Sequence, residues 1–404
     1  MTFFGVLWSM VVLYCFTKKD IKYMLFITLL FMTFQCSNVL YLGGTGIGPG
    51  IITSLLFVLK VLLYERGKIH FFKKDTALVV LLLLLFSVVL FSSAANNILE
   101  QRFVLIMQFL GYILCFISIH LVKYRLTNYE IYKMLRIIII FISIFGVIQF
   151  LTTIEILPLR SLLEPLVYND SSTDVVFYKQ NYSRVMSTFM EPSYYAGFVV
   201  GAFFYILSNK SKWKENYWLL LLLLFEILMT KSSTAYGAFF IVGIVFIALS
   251  KDINIKWKLI GVGFAIVSFL VVYFGFYEVL DTVIFSKDSS GSFTTRTRWN
   301  NGAIRAFKGS KLYGVGYKNS RGSSIIYSLL AQLGVLGLSA YALFNLKICV
   351  PLFNMFKKYE ENKVYSNGLR FAVLVVVVCQ IIACPDLDLC TYWFWVYCIA
   401  TLRV

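Results

Sequence analysis

Two polar stretches in an otherwise apolar chain carry residue types suited to chemistry on an anion. Residues 294–317 read TTRTRWNNGAIRAFKGSKLYGVGY, and are basic, polar and punctuated by glycine. If 299–307 is helical, Arg298, Asn301 and Arg305 share one face, and Trp299, Ala303 and Phe307 form an apolar stripe on another. Such a helix lies in a membrane interface and offers guanidinium groups, Arg296 included, to an anionic head group. An ordinary basic interfacial loop is the plainer reading. In the GVGY that follows, Gly314, Gly316 and Tyr317 permit a sharp turn with close backbone approach to an anion.

The second stretch, 181–198, reads NYSRVMSTFMEPSYYAGF. Pro192 suits the first turn of a helix, which puts Glu191 at its cap, where a carboxylate also complements the helix dipole. The same carboxylate, seven residues after Arg184, could serve as a general base toward a hydroxyl. Cap and base both stay open. Tyr194 and Tyr195, with Tyr168, Phe177, Tyr178 and Tyr182, form an interfacial belt or offer ring faces to a ligand. Glu226 lies within an apolar run, where an ionisable group marks either a function or a structural ion pair.

These stretches need a scaffold, and the composition says which. Of 404 residues, 59% are hydrophobic and only 14% charged, well below the roughly 25% of a soluble globular protein. The expectation is an all-α polytopic membrane protein of about 12–13 spans with two long outward-facing loops bearing short interfacial helices. Spans are predicted at 2–16, 23–42, 47–64, 76–91, 103–122, 135–151, 193–207, 217–230, 234–249, 259–277, 324–346, 371–383 and 389–402, the last two short for a bilayer. Alternate short loops are rich in Lys and Arg, which places them in the cytoplasm and the N-terminus outside. The organisation is then 1–153 (six spans), 154–192 (first outer loop), 193–277 (four spans), 278–322 (second outer loop) and 323–404 (three spans).

The net charge of +17 sits mostly in those cytoplasmic loops, so it sets topology and implies no nucleic-acid partner. Basic residues in the second outer loop break that pattern and call for an anionic ligand. The N-terminus lacks the order of a cleavable signal. No metal spacing exists, since His70 and His120 adjoin no ligand cluster. Cys384 and Cys390 flank a short loop and are read as free thiols in preference to a disulfide. The GGTGIGPG of 43–50 predicts a tight hairpin and not a phosphate cradle. Lys60 is expected to snorkel, and Gln35, Asn38 and Gln149 to bond between helices. Asp386 and Asp388 either approach the basic cluster or are solvated.

RVMSTFMEPSYYAGF and TRTRWNNGAIRAFKGSKLYGVGY, followed by SLLAQLGVLGL at 328–338, resemble the O-antigen and capsular polysaccharide polymerases of the Wzy type. That superfamily includes the O-antigen ligases. LMTKSSTAYGAF, 228–239, is similar to the family's span opening on a Ser/Thr-rich turn. The resemblance covers roughly 184–338; the first six spans match only in hydropathy. It implies a metal-independent, cofactor-free inverting glycosyltransferase of the bacterial cytoplasmic (inner) membrane, with its active site facing outward. The substrate implied is an undecaprenyl-pyrophosphate-linked oligosaccharide, with membrane lipid and a chain-length regulator protein as partners. By the match of motifs, Arg184 and Arg298 bind the pyrophosphate with Arg305 beside them, and Glu191 is the acidic position. Related ligases carry a His where this chain has RGSSIIYS, 321–328, which favours a polymerase over a ligase. A ligase-type transferase and a lipid-linked oligosaccharide flippase are the rivals. The flippase requires charges along a midplane path, where Glu226 is the main exception to a charge-poor interior.

Overall fold

The computed structural model describes residues 2–42, 45–64, 76–169, 184–209, 212–249, 291–353 and 361–402. The expected span at 259–277 lies outside the described residues, as do Phe177, Tyr178 and Tyr182. In chain order the elements are α1 (Phe3–Thr17), α2 (Ile21–Met32), the strands β1 (Leu40–Leu42) and β2 (Thr45–Ile47), and α3 (Pro49–Tyr64). Next come α4 (Thr76–Ala95), α5 (Leu99–Val122), α6 (Asn128–Thr153) and the short α7 (Arg160–Leu166). Then follow α8 (Pro192–Ser208), α9 (Trp213–Met229), α10 (Ser233–Leu249), α11 (Gly291–Gly309), α12 (Ile325–Phe353), α13 (Glu361–Ile382) and α14 (Cys390–Ala400). Among the described residues, five helices are long and apolar enough to cross a membrane: those within 76–95, 99–125, 128–153, 325–353 and 365–382. The chain is a helical, membrane-embedded protein. Large aliphatic side chains on outer faces, such as Leu13, Leu62, Val104 and Leu221, are exposed, as a lipid solvent permits.

The centre of the bundle is α14. From Thr391 to Ala400 every residue is buried, and Trp393 and Trp395 are fully enclosed. Eleven residues rise only about 16 Å, half a bilayer, so this apolar run is a core helix and not a lipid-facing span. Its aromatics fit because α8 presents glycine to them. The Trp395 Nε1 donates to the Gly197 carbonyl at 3.3 Å, and a Cβ on Gly201 would sit 2.9 Å from that nitrogen. The most extensive helix pairing is between α8 and α13.

Two expectations from the sequence change for physical reasons. The segment 23–42 is not one span, because α2 stops at Met32. Beyond it the backbone is claimed by other partners: the Gln35 N–H donates to the Thr188 carbonyl, the Asn38 N–H to Asn169 Oδ1, and the Val39 N–H to the Ile47 carbonyl. The apolar residues Phe34, Cys36 and Val39 are core packing. The chain then forms the β1–β2 hairpin, with Leu40 paired to Ile47. Lys60 does not snorkel to water. It is fully buried, and its Nζ donates to the carbonyls of Cys15 (2.9 Å) and Lys18 (2.6 Å), neutralising the open end of α1. Cys384 and Cys390 are free thiols, as expected.

The helix α12 is broken at Gly334, whose φ of 64° and ψ of −161° only glycine holds without strain. The break exposes backbone groups that the preceding segment uses. Val315 and Gly316 donate their N–H groups to the carbonyls of Ala331 and Gln332, both at 2.9 Å. In return Val335 and Leu336 donate to the carbonyls of Lys311 and Leu312. Gly314 lies flat against this contact, since a Cβ there would stand 2.3 Å from the Gln332 carbonyl carbon. The GVGY glycines thus serve a backbone-to-backbone joint between 311–317 and α12.

Candidate functional site

The segment 184–191 is laid across the ends of three helices by its polar atoms. The Arg184 Nε donates to the Thr230 carbonyl at 2.8 Å, and the Val185 N–H to the Met229 carbonyl at 2.9 Å. Gln149 of α6 is no interhelical bridge. Its Oε1 accepts the N–H groups of Met186 (3.0 Å) and Ser187 (3.3 Å). The hydroxyl of Ser187 donates to the Ile142 carbonyl, and that of Thr188 to the Thr33 carbonyl. With Val185 to Phe189 buried, the chain surfaces at Met190 and Glu191 and enters α8 at Pro192. Glu191 occupies the cap position without bonding the helix backbone; its Oε2 accepts the Ser193 hydroxyl at 2.9 Å. The carboxylate is exposed and keeps its second oxygen for another partner.

Helix α11 divides along the faces its sequence predicts. Ala303 is buried, Trp299 and Phe307 are half-buried, and Arg298, Asn301 and Arg305 are exposed. Two contacts tie the helix to the turn before α12. The Arg321 guanidinium stacks over the Trp299 ring at 4.7 Å, and Asn300 Oδ1 accepts the Ser323 N–H at 2.9 Å. Arg296, seven residues before Ala303 and so in line with the inward stripe, then joins Arg321, Trp299, Glu191, Tyr194 and Pro385 around a cavity of about 260 Å³. Among the described residues neither Arg296 nor Arg321 forms an ion pair. Two guanidinium groups outside any ion pair, beside a single carboxylate, make a site for an anion of higher charge.

Tyr194 is also a wall of a second cavity, of about 280 Å³. There Lys318 bridges the last loop: its Nζ stands 2.8 Å from Asp386 Oδ1 and 2.7 Å from Asp388 Oδ1. Burial works against the Lys318 ammonium, but Asp388 and Asp386 outweigh it and raise its pKa above the ordinary value. For Asp386 burial acts upward, and the charge and hydrogen bond of Lys318 prevail and hold it below the usual carboxylate range. The Tyr194 hydroxyl donates to Asp386 Oδ2 at 3.3 Å, so one side chain links the two cavities.

Of the residues singled out from the sequence, Glu191, Tyr194 and Arg296 are brought together. Arg184 lies behind them, close enough that Glu191 acts on it; burial draws its guanidinium below the ordinary value, with Tyr236 and Glu191 opposing. Arg298 and Arg305 turn away, the latter with its Nε toward the Asn301 carbonyl at 3.3 Å. Gly314, Gly316 and Tyr317 are buried in packing; Tyr317 stacks near Phe109 and lines neither cavity. Tyr195 and Glu226 meet each other instead. Both are fully buried, and a Cβ on Gly146 would lie 2.8 Å from Glu226 Oε1 and 3.3 Å from the Tyr195 hydroxyl. Arg321 and Lys318 count in the sequence only among the basic residues of the second outer loop and not as site residues, although an Arg–Gly pair shortly before a helix and the Asp-Leu-Asp spacing of the last loop are visible there. Among the described residues no group of three or more His, Cys, Asp or Glu is placed to hold a metal. Comparison with models of protein families and with curated proteins finds no match for the chain.

Proposed function

We propose that the chain is a polysaccharide polymerase of the bacterial cytoplasmic membrane, moving a growing glycan from undecaprenyl pyrophosphate onto a lipid-linked repeat unit at the outer leaflet. One observation carries the proposal: a single cavity faced by Glu191 from the start of α8, Arg296 from α11 and Arg321 from the turn before α12. The motif resemblance across 184–338 points the same way.

The chemistry required of such a site is short. The acceptor hydroxyl oxygen bonds to the anomeric carbon while the bond from that carbon to the diphosphate oxygen breaks. The electron pair leaves on the lipid diphosphate, and the hydroxyl proton passes to the Glu191 carboxylate. Attack opposite the departing group inverts the anomeric centre. Negative charge grows on the diphosphate, and Arg296 and Arg321, fixed beforehand by α11 and by the Trp299 stack, stabilise it without reorganising. Glu191 is oriented for its part by Ser193.

The test is polymer length in a strain lacking the chain and complemented with Arg296→Ala, Arg321→Ala or Glu191→Gln. The proposal expects membrane-inserted protein, single repeat units on the final acceptor and no ladder. A ladder of normal length from all three variants overturns it. Loss of even the single-unit product assigns the chain to ligation instead.

A further inference from the structure

The cavity of about 280 Å³ has a different chemistry from its neighbour, and Tyr194 is the wall between them. Its charged residues are Lys318, Asp386 and Asp388, so two carboxylates face one ammonium and the cavity carries net negative charge. In the basic cavity two guanidinium groups face one carboxylate and the sign is reversed. A diphosphate is therefore drawn to one cavity and repelled from the other. What suits the second is a neutral group rich in hydroxyls. Carboxylate oxygens accept hydroxyl protons strongly, and here Lys318 fixes both carboxylates in place before any ligand arrives. Asp388 spends Oδ1 on Lys318, which leaves its second oxygen for a hydroxyl. Gln108 adds an amide, and Ile51 and Met190 add apolar wall, against which the C–H face of a sugar packs.

We infer that this cavity is the subsite for a neutral, hydroxyl-bearing sugar of the acceptor, with Asp388 and Gln108 as its polar contacts and Tyr194 placing it beside the diphosphate. The inference rests on the polymerase reading. It assigns the two substrates to two compartments: anionic donor head in the basic cavity, neutral acceptor sugar in the acidic one.

Two probes separate the inference from the reading beneath it. One is inorganic pyrophosphate; the other is the repeat-unit oligosaccharide released by mild acid from the lipid-linked pool of a strain lacking the chain. Each is titrated into the purified full-length protein in detergent. Asp388→Asn and Gln108→Ala are expected to weaken oligosaccharide binding by about tenfold or more while leaving pyrophosphate binding within about twofold, and Arg296→Ala to do the reverse. Gln108→Ala removes no charge and does not disturb the Lys318 ion pairs, so it reports on the subsite even if Asp388→Asn folds poorly. Oligosaccharide binding at wild-type strength in both variants, with pyrophosphate lost in Arg296→Ala, overturns the subsite and leaves the polymerase standing. Binding of neither probe to the wild type, together with normal polymer in the strain lacking the chain, overturns both.

Discussion

The guanidinium of Arg321 stacks on the indole of Trp299 at 4.7 Å, which couples the turn before α12 to the middle of α11 and turns both toward Glu191. The pair orders two variants. Arg321→Ala removes the cation itself and should cost about 1.5–3 kcal/mol of pyrophosphate binding, roughly 10- to 100-fold in affinity. Trp299→Ala leaves the cation but frees it, and a partly exposed stack contributes only about 0.5–1 kcal/mol, so a loss of about two- to fivefold is expected. Titration calorimetry on the purified variants reads the order; an equal or larger loss in Trp299→Ala would show that the ring and not the guanidinium meets the ligand.

Arg296 and Arg298 lie two residues apart on one helix but face differently, Arg296 into the cavity and Arg298 into solvent. Arg296→Ala should abolish the polymer ladder, and Arg298→Ala should shift its length by no more than about threefold, as befits an exposed, uncommitted charge. Gel analysis of the two strains side by side decides, and a stronger defect in Arg298→Ala would move the anion site to the outer face of α11.

The Lys318, Asp386 and Asp388 cluster ties the turn after 311–317 to the loop before α14. Because the Asp386 pKa is lowered in the folded protein, its stabilisation is full above the unfolded carboxylate value and fades as pH falls through the lower folded one. Lys318 is raised, so its share is full below the unfolded lysine value and is lost as pH climbs through the higher folded one. Between about pH 5 and 9 both are in force. Lys318→Ala strands two carboxylates and should cost about 1–3 kcal/mol near pH 7, with the deficit shrinking in acid as Asp386, left with burial alone, takes up a proton. Thermal melts in detergent across that range test it. A deficit independent of pH would mean that packing, and not charge, is what Lys318 supplies.

Gly334 breaks α12 at a φ of 64°, and a Cβ there would lie 2.3 Å from the Leu312 carbonyl oxygen. Gly334→Ala must therefore both strain the backbone and push 311–317 away, a loss of about 2 kcal/mol or more. Gly302, on α11 with open space around it, is the matched control and should tolerate alanine. Melting temperatures of the two variants make the comparison. Equal melting temperatures would mean that the joint between 311–317 and α12 bears no stability.

The period of 3.6 made the two faces of α11 legible in the sequence, since Trp299, Ala303 and Phe307 recur at helical spacing and do turn inward. The same spacing puts Arg296 in line with that stripe, but it could not say that a cavity lies there. That depends on Arg321 and on Ala383 and Pro385, which arrive from 12 or more residues beyond the helix end and leave no periodic trace near Arg296. Hydropathy likewise found both ends of α8 and α10 and the start of α4, but it counts a buried core residue and a lipid-facing one alike. Hence 33–39 and α14 read as membrane although both pack inside the bundle. The GVGY glycines were visible as a tight approach; that the approach is to the broken backbone of α12 is a long-range fact.

Whether the cavity of Glu191, Arg296 and Arg321 builds polymer is read by giving the purified protein a lipid-linked repeat unit and following chain growth by gel, wild type beside the Arg296→Ala, Arg321→Ala double variant. A polymerase working through this cavity gives a lengthening ladder with release of undecaprenyl pyrophosphate from the wild type, and neither product from the double variant at equal folded protein. A ladder of equal length and rate from the double variant, or none from a folded wild type supplied with its own repeat unit, would contradict it.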